Sequence, residues 1–93
     1  MGFFSTTYKN TTTLNHNTVS LHQKIESLKN EESLKIIFDS QRNSGLIEKG
    51  GSAFSFDFFP LDNSLEISYN CSTSIPFNYP KKKAQEFITL LEN

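Results

Sequence analysis

Alternation of apolar and polar positions is clearest in the second half of the chain. Phe54, Phe56 and Phe58 fall on one side of an extended segment, with Ser55 and Asp57 on the other. Leu65, Ile67, Tyr69, Cys71 and Thr73 repeat that two-residue period, the signature of strands buried on one face. Pro60-Leu61-Asp62-Asn63 lies between them as a hairpin loop. With Phe59 opposite Ser64, the expected register sets Phe58 against Leu65, Phe56 against Ile67 and Phe54 against Tyr69. These apolar pairs then share one side, as antiparallel pairing requires. Leu34, Ile36 and Phe38 alternate with Lys35, Ile37 and Asp39 and predict an earlier strand. Arg42–Gly45 and Lys49–Gly51 read as turns, with room for a short extra ladder around Leu46 and Ile47.

On either side of this block the period lengthens to three and four. Leu21, Ile25 and Leu28 predict a helix from about Thr18 to Asn30, with Ser20 and Gln23 as a capping box. Ala84, Phe87, Ile88 and Leu91 predict a second helix from Pro80 to Glu92, with Pro80 at its first position. Residues 1–17 are rich in Thr and Asn. Thr and aromatic residues also suit an edge strand, but the expectation is a polar arm partly ordered by docking Phe3 and Phe4. The expected architecture is α+β, in the order helix, three-stranded antiparallel meander, helix (αβββα). Both helices cover one face of the sheet, in a single domain at 18–93 behind the arm at 1–17.

Composition sharpens this picture in two ways. Only 35% of the 93 residues are hydrophobic, yet nine are Phe and three are Tyr. Aromatic rings bury far more area than Ala or Val, so the core is expected to be built from rings. The formal net charge is -1, which supplies no long-range attraction to nucleic acid or an anionic membrane. One cysteine leaves no intramolecular disulfide and no cysteine-based metal cluster. No apolar run reaches membrane-spanning length, and no basic segment precedes an apolar stretch near the N-terminus. The expected location is cytoplasmic, without membrane contact. Asn10-Thr11-Thr12 and Asn70-Cys71-Ser72 then match the glycosylation sequon by chance.

Candidate chemistry is sparse. Cys71 with His16 or His22 as base would make a nucleophile, but Cys71 is in phase with the inward residues of its strand, where a thiol serves as packing. His16 and His22 are six apart and not at the i, i+4 spacing of a metal pair. Gly50-Gly51 reads as a hairpin bend, lacking the companions of a phosphate loop. No catalytic residue, cofactor or metal is therefore expected. The expected register also sets Asp57 directly against Glu66, a destabilising like-charge pair. Lys35 would neutralise it if Phe38 paired with Phe54; a basic group on a partner is a second reading. An acid/base dyad is a third, disfavoured because hydrolytic carboxylates need a cleft that an open sheet face does not offer.

Lys81, Lys82 and Lys83 open the last helix, where the helix dipole disfavours each cation by about 0.3–1 kcal/mol. Such a cluster suits an anion such as phosphate at the helix start. Helix, three strands and helix, with Lys82 and Lys83 followed by Ala84, resembles the double-stranded-RNA-binding domain. The resemblance implies that these lysines reach phosphates across the major groove. This chain departs from that family in lacking a Gly-Pro-x-His turn between its first strands. It also has Phe77-Asn78-Tyr79-Pro80 in place of a glycine-rich approach to the lysines.

The expected function is a non-enzymatic macromolecule-binding module. The specific expectation is a small intracellular inhibitor that occludes a partner protein, of the immunity-protein or phage anti-defence type. Double-stranded-RNA or other nucleic-acid binding through Lys81–Lys83 is the alternative. The expected partner contacts are Phe3, Phe4 and Tyr8 on the arm, and Lys35, Ile37, Asp57, Phe59 and Glu66 on the open sheet face. Self-association through a free sheet edge also fits this pattern.

Overall fold

The alternating segments form the centre of a sheet that is wider than the meander read from the sequence. In the computed structural model, residues 5–74 and 79–93 are described. The elements run β1 (Ser5–Leu14), α1 (Thr18–Leu28), β2 (Lys35–Asp39), β3 (Ser44–Lys49), β4 (Ser52–Pro60), β5 (Leu65–Ser74) and α2 (Pro80–Glu92). One five-stranded antiparallel sheet results, in the order β1-β5-β4-β3-β2. The three-stranded αβββα architecture is therefore overturned. Strand β1 occupies one edge, α1 carries the chain across to the other edge, and β2 to β5 return as a meander.

The two additional strands have separate origins. Ser5–Leu14, within the segment read as an arm, pairs with β5 along its whole length, from Ser5 against Ser74 to Leu14 against Leu65. Its β-branched threonines fit a pleated surface, but among its described side chains, residues 7–14, only Leu14 is fully buried. Strand β3 contains Gly45, which the sequence presents as part of a turn. In the sheet Gly45 lies opposite Phe38 and Phe56. A Cβ there would meet the Ile37 carbonyl oxygen at 2.9 Å and the Phe56 ring at 2.9 Å, so close approach of the rings requires glycine. The turn before it is closed by Asp39, whose Oδ1 accepts from the amides of Gln41 and Arg42. Asn43 completes that turn with φ 54°, a conformation that asparagine tolerates.

The β4–β5 hairpin holds the expected faces in a different register. Pro60 pairs with Leu65, and the Leu61 amide closes the loop on the Ser64 carbonyl at 2.8 Å. Phe58 consequently faces Ile67, Phe56 faces Tyr69 and Phe54 faces Cys71. The displacement is even, so every ring still points inward.

Helix α1 begins one turn before the expected box. Asn17 is its N-cap: Oδ1 accepts from the Ser20 amide while Ser20 Oγ accepts from the Asn17 amide. Ser20 with Gln23 therefore does not form the cap. Leu21, Ile25 and Leu28 are its buried stripe, and Ala84, Phe87, Ile88 and Leu91 are that of α2. The two stripes join the inward residues of the sheet in one core. Within it Phe54 stacks on Phe87 and Tyr69, with centroids 5.1 and 5.2 Å away. Phe38 lies nearly parallel to Phe56 and Phe58, and His22 meets Phe38 and Phe58 edge-on. His16 ties the start of α1 to the end of α2, donating from Nε2 to the Leu91 carbonyl at 2.8 Å. No helix among the described residues is long and apolar enough to cross a membrane.

Candidate binding surfaces

Because both helices occupy one side, alternate residues of all five strands remain on the other. Register groups them into rows across the sheet. Ile37, Leu46, Ser55, Asn70 and Lys9 form one row; Asp39, Ser44, Asp57, Ser68 and Thr11 form the next. Phe59, Glu66 and Thr13 follow nearer the β4–β5 loop. Hydroxyls dominate toward β1, while the apolar side chains Ile37 and Phe59 stand 62% and 51% exposed toward the other parts of the face.

Lys35, Ile37, Asp57, Phe59 and Glu66 are thus brought onto one surface, though not into the expected contacts. Asp57 lies between Ser44 and Ser68, and Glu66 lies between Phe59 and Thr13. The like-charge pair does not form. Lys35 is opposite Glu48, and β3 separates it from Asp57. Tyr8 belongs to the other face, half-buried beside Tyr69 at 6.2 Å, where its hydroxyl accepts from Asn10 Nδ2. Phe3 and Phe4 lie outside the described residues.

Pairing of β1 with β5 builds a feature that the sequence does not announce. Lys9, Thr11, Ser55, Asp57, Ser68 and Asn70 surround a shallow depression of about 430 Å³ on the open face. Among these lining residues, Asn70 has a buried Oδ1 without a hydrogen-bond partner among the described residues. Ser55 Oγ donates to the Asn70 carbonyl at 3.4 Å. The only hint in the sequence is the strand-favouring character of Thr6, Thr7, Thr11, Thr12 and Thr13 in β1.

Lys81, Lys82 and Lys83 lie at the start of α2. Tyr79 caps this helix with its carbonyl, which accepts from the Lys83 amide, but makes no side-chain cap. Lys83 Nζ is 3.5 Å from Glu86 Oε1, so its charge is partly balanced within the helix. Lys82 and Lys83 border a groove of about 760 Å³ that also receives Lys49, Thr73, Phe87 and Leu90. The element order that resembled a double-stranded-RNA-binding domain is replaced by strand, helix, four strands and helix.

Cys71 is fully buried on the inner face. Burial pushes its thiol up to about 11, the Glu86 carboxylate adds to the shift and Lys83 opposes it. Of its expected bases, His16 is hydrogen-bonded to Ser20 and Leu91, while His22 packs edge-on against the Phe38 and Phe58 rings with its Nε2 buried and unpartnered among the described residues. No group of three or more His, Cys, Asp or Glu among the described residues is placed to hold a metal ion. At pH 8 the native thiol is expected to react with a maleimide at least about tenfold more slowly than the unfolded chain, because the reactive thiolate is suppressed. Equal rates in buffer and denaturant would contradict this burial. A thiol raised in the folded state favours folding while it is protonated. Its contribution is lost as pH climbs from its ordinary value of 9.0 toward 11. Melting temperature should therefore fall more steeply over that window in the natural protein than in Cys71→Ala.

No protein-family model matches this chain, and no curated protein matches it.

Proposed function

We propose that this protein is a non-enzymatic binding module that engages another protein through the open face of its sheet. The observation that supports this reading is a five-stranded sheet with one face left uncovered by both helices, carrying Ile37 and Phe59 at 62% and 51% exposure. Small molecules favour enclosed apolar clefts, whereas this face is broad and shallow. Exposed apolar anchors among adaptable hydrogen-bonding side chains suit a protein surface. A rigid sheet also loses little freedom on binding, which favours a small intracellular inhibitor that works by occlusion, as immunity and phage anti-defence proteins do.

Nucleic-acid binding is the second reading, supported by Lys49 and Lys82 meeting at the same groove beside the start of α2. Differential capture from host lysate separates the two. Ile37→Asp with Phe59→Asp is expected to lose at least about tenfold of a protein enriched by the natural chain, while replacing Lys81, Lys82 and Lys83 with Ala leaves that enrichment unchanged. Loss only with the lysine variant, together with sensitivity to nuclease, would replace the protein reading with the nucleic-acid one.

A further inference from the structure

The two edges of the sheet are unequal. In an antiparallel ladder, a residue directs its N–H and C=O to the same neighbour, and successive residues alternate. Leu61 donates to Ser64 and Phe58 donates to Asn43. Propagated through the registers, these bonds turn the odd-numbered backbone groups of β1 outward, and Ile36 and Phe38 outward from β2. On β1 the outward Thr11 amide is already taken by Asn10 Oδ1 at 2.8 Å, a local cover of the kind that protects edges. On β2 the edge is apolar, with Ile37 62% exposed.

The sequence of that edge is complementary to itself. Placed antiparallel about Ile37, a second Lys35-Ile36-Ile37-Phe38-Asp39 sets Lys35 against Asp39 and Asp39 against Lys35. Ile36 then meets Phe38, and these are the residues whose backbone groups point outward. Hydrogen bonds, charges and apolar side chains are thus satisfied in one register. We propose that two copies of this chain pair through β2 about a twofold axis, joining their sheets into one. The pairing is isologous and closes on itself. Ile37 meets its own copy on the open face, next to Leu46 of each chain. On the helix face, Ile36 and Phe38 extend the core beside Phe56 and Phe58. Lys35 then lies between its own Glu48 and the second copy's Asp39. Asp39 keeps its bonds to the Gln41 and Arg42 amides and lies 3.9 Å from Arg42 Nε. A strand of five residues buries a small interface, so the dimer is weak and concentration-dependent.

Sedimentation of the isolated protein tests this without any other partner, so its outcome is separate from the function proposed above. The natural chain is expected to shift from monomer to dimer across the micromolar range. K35D places carboxylates face to face and should weaken association at least about tenfold. D39K does the same with ammonium groups, and mixing K35D with D39K restores both opposite-charge pairs and the dimer. Independently of charge, I37C brings two thiols together at a non-hydrogen-bonded pair, whose Cα spacing of about 4.5 Å suits a disulfide. Mild oxidation is therefore expected to yield a covalent dimer. A natural chain that stays monomeric at high micromolar concentration, a K35D that associates like it, or an I37C that does not cross-link overturns the proposal.

Discussion

Replacing Phe54 with Ala is expected to lower the free energy of unfolding by about 3–5 kcal/mol. Phe54 is fully buried and lies between the sheet and α2, touching the rings of Phe56, Tyr69 and Phe87 at 5.8, 5.2 and 5.1 Å. Truncation removes its own transfer energy and leaves a cavity that three rings of different strands and a helix cannot jointly collapse. A domain of this size has about 5–15 kcal/mol in total, so much of the population is expected to unfold on modest warming. Phe59→Ala on the open face is the matched control, with an expected cost below about 1 kcal/mol. Urea titration followed by circular dichroism measures both. A Phe54→Ala midpoint equal to that of Phe59→Ala would mean that Phe54 does not occupy the centre of the core.

Gly45→Val is expected to cost about 1–3 kcal/mol through overpacking, although general preferences point the other way. Removing a strand glycine gains about 0.5–1 kcal/mol from the unfolded chain, and valine is favoured in strands. Those gains lose because the added Cβ meets the Ile37 carbonyl oxygen at 2.9 Å, Phe56 at 2.9 Å and Phe38 at 3.0 Å. The carbonyl is backbone and retreats only if β2 separates from β3. Gly51→Ala is tighter still on paper, with Ser74 Oγ at 2.6 Å, yet a seryl hydroxyl can turn aside. It is therefore expected to be nearly neutral. The damage in Gly45→Val should centre on β2, read as faster amide exchange from Lys35 to Asp39 than in the natural chain. Unchanged stability and exchange would remove the steric reason for glycine in β3.

These two positions also show what the sequence carries. Phe54 was legible as a core residue because strand alternation fixes parity independently of register, and parity survives a slip by two. For the same reason Lys35, Ile37, Asp57, Phe59 and Glu66 were legible as residues of one face, while the pairing of Asp57 with Glu66 was not. That contact depended on where the hairpin loop ends, and Pro60 remains inside β4 against Leu65. Gly45 looked like a turn because glycine marks both bends and close approaches of rings, and only the packed sheet distinguishes them. Strand β1 was hidden by chemistry. Its inward positions include Tyr8, Asn10 and Thr12, and polar residues there carry no hydrophobic period. Without β1, the depression around Asn70 had no outer wall and could not be inferred.

The proposed function depends on the uncovered side of the sheet being the side that meets a partner. The most direct measurement is an NMR titration of the isotopically labelled protein with the protein recovered by differential capture. Loss or displacement of the Ile37 and Leu46 methyl signals and of amides along Asp57, Phe59 and Glu66, with Lys81 and Lys82 unmoved, is the predicted result. Displacement confined to Tyr79, Lys81, Lys82 and the Lys49 turn, with the open face silent, would contradict it.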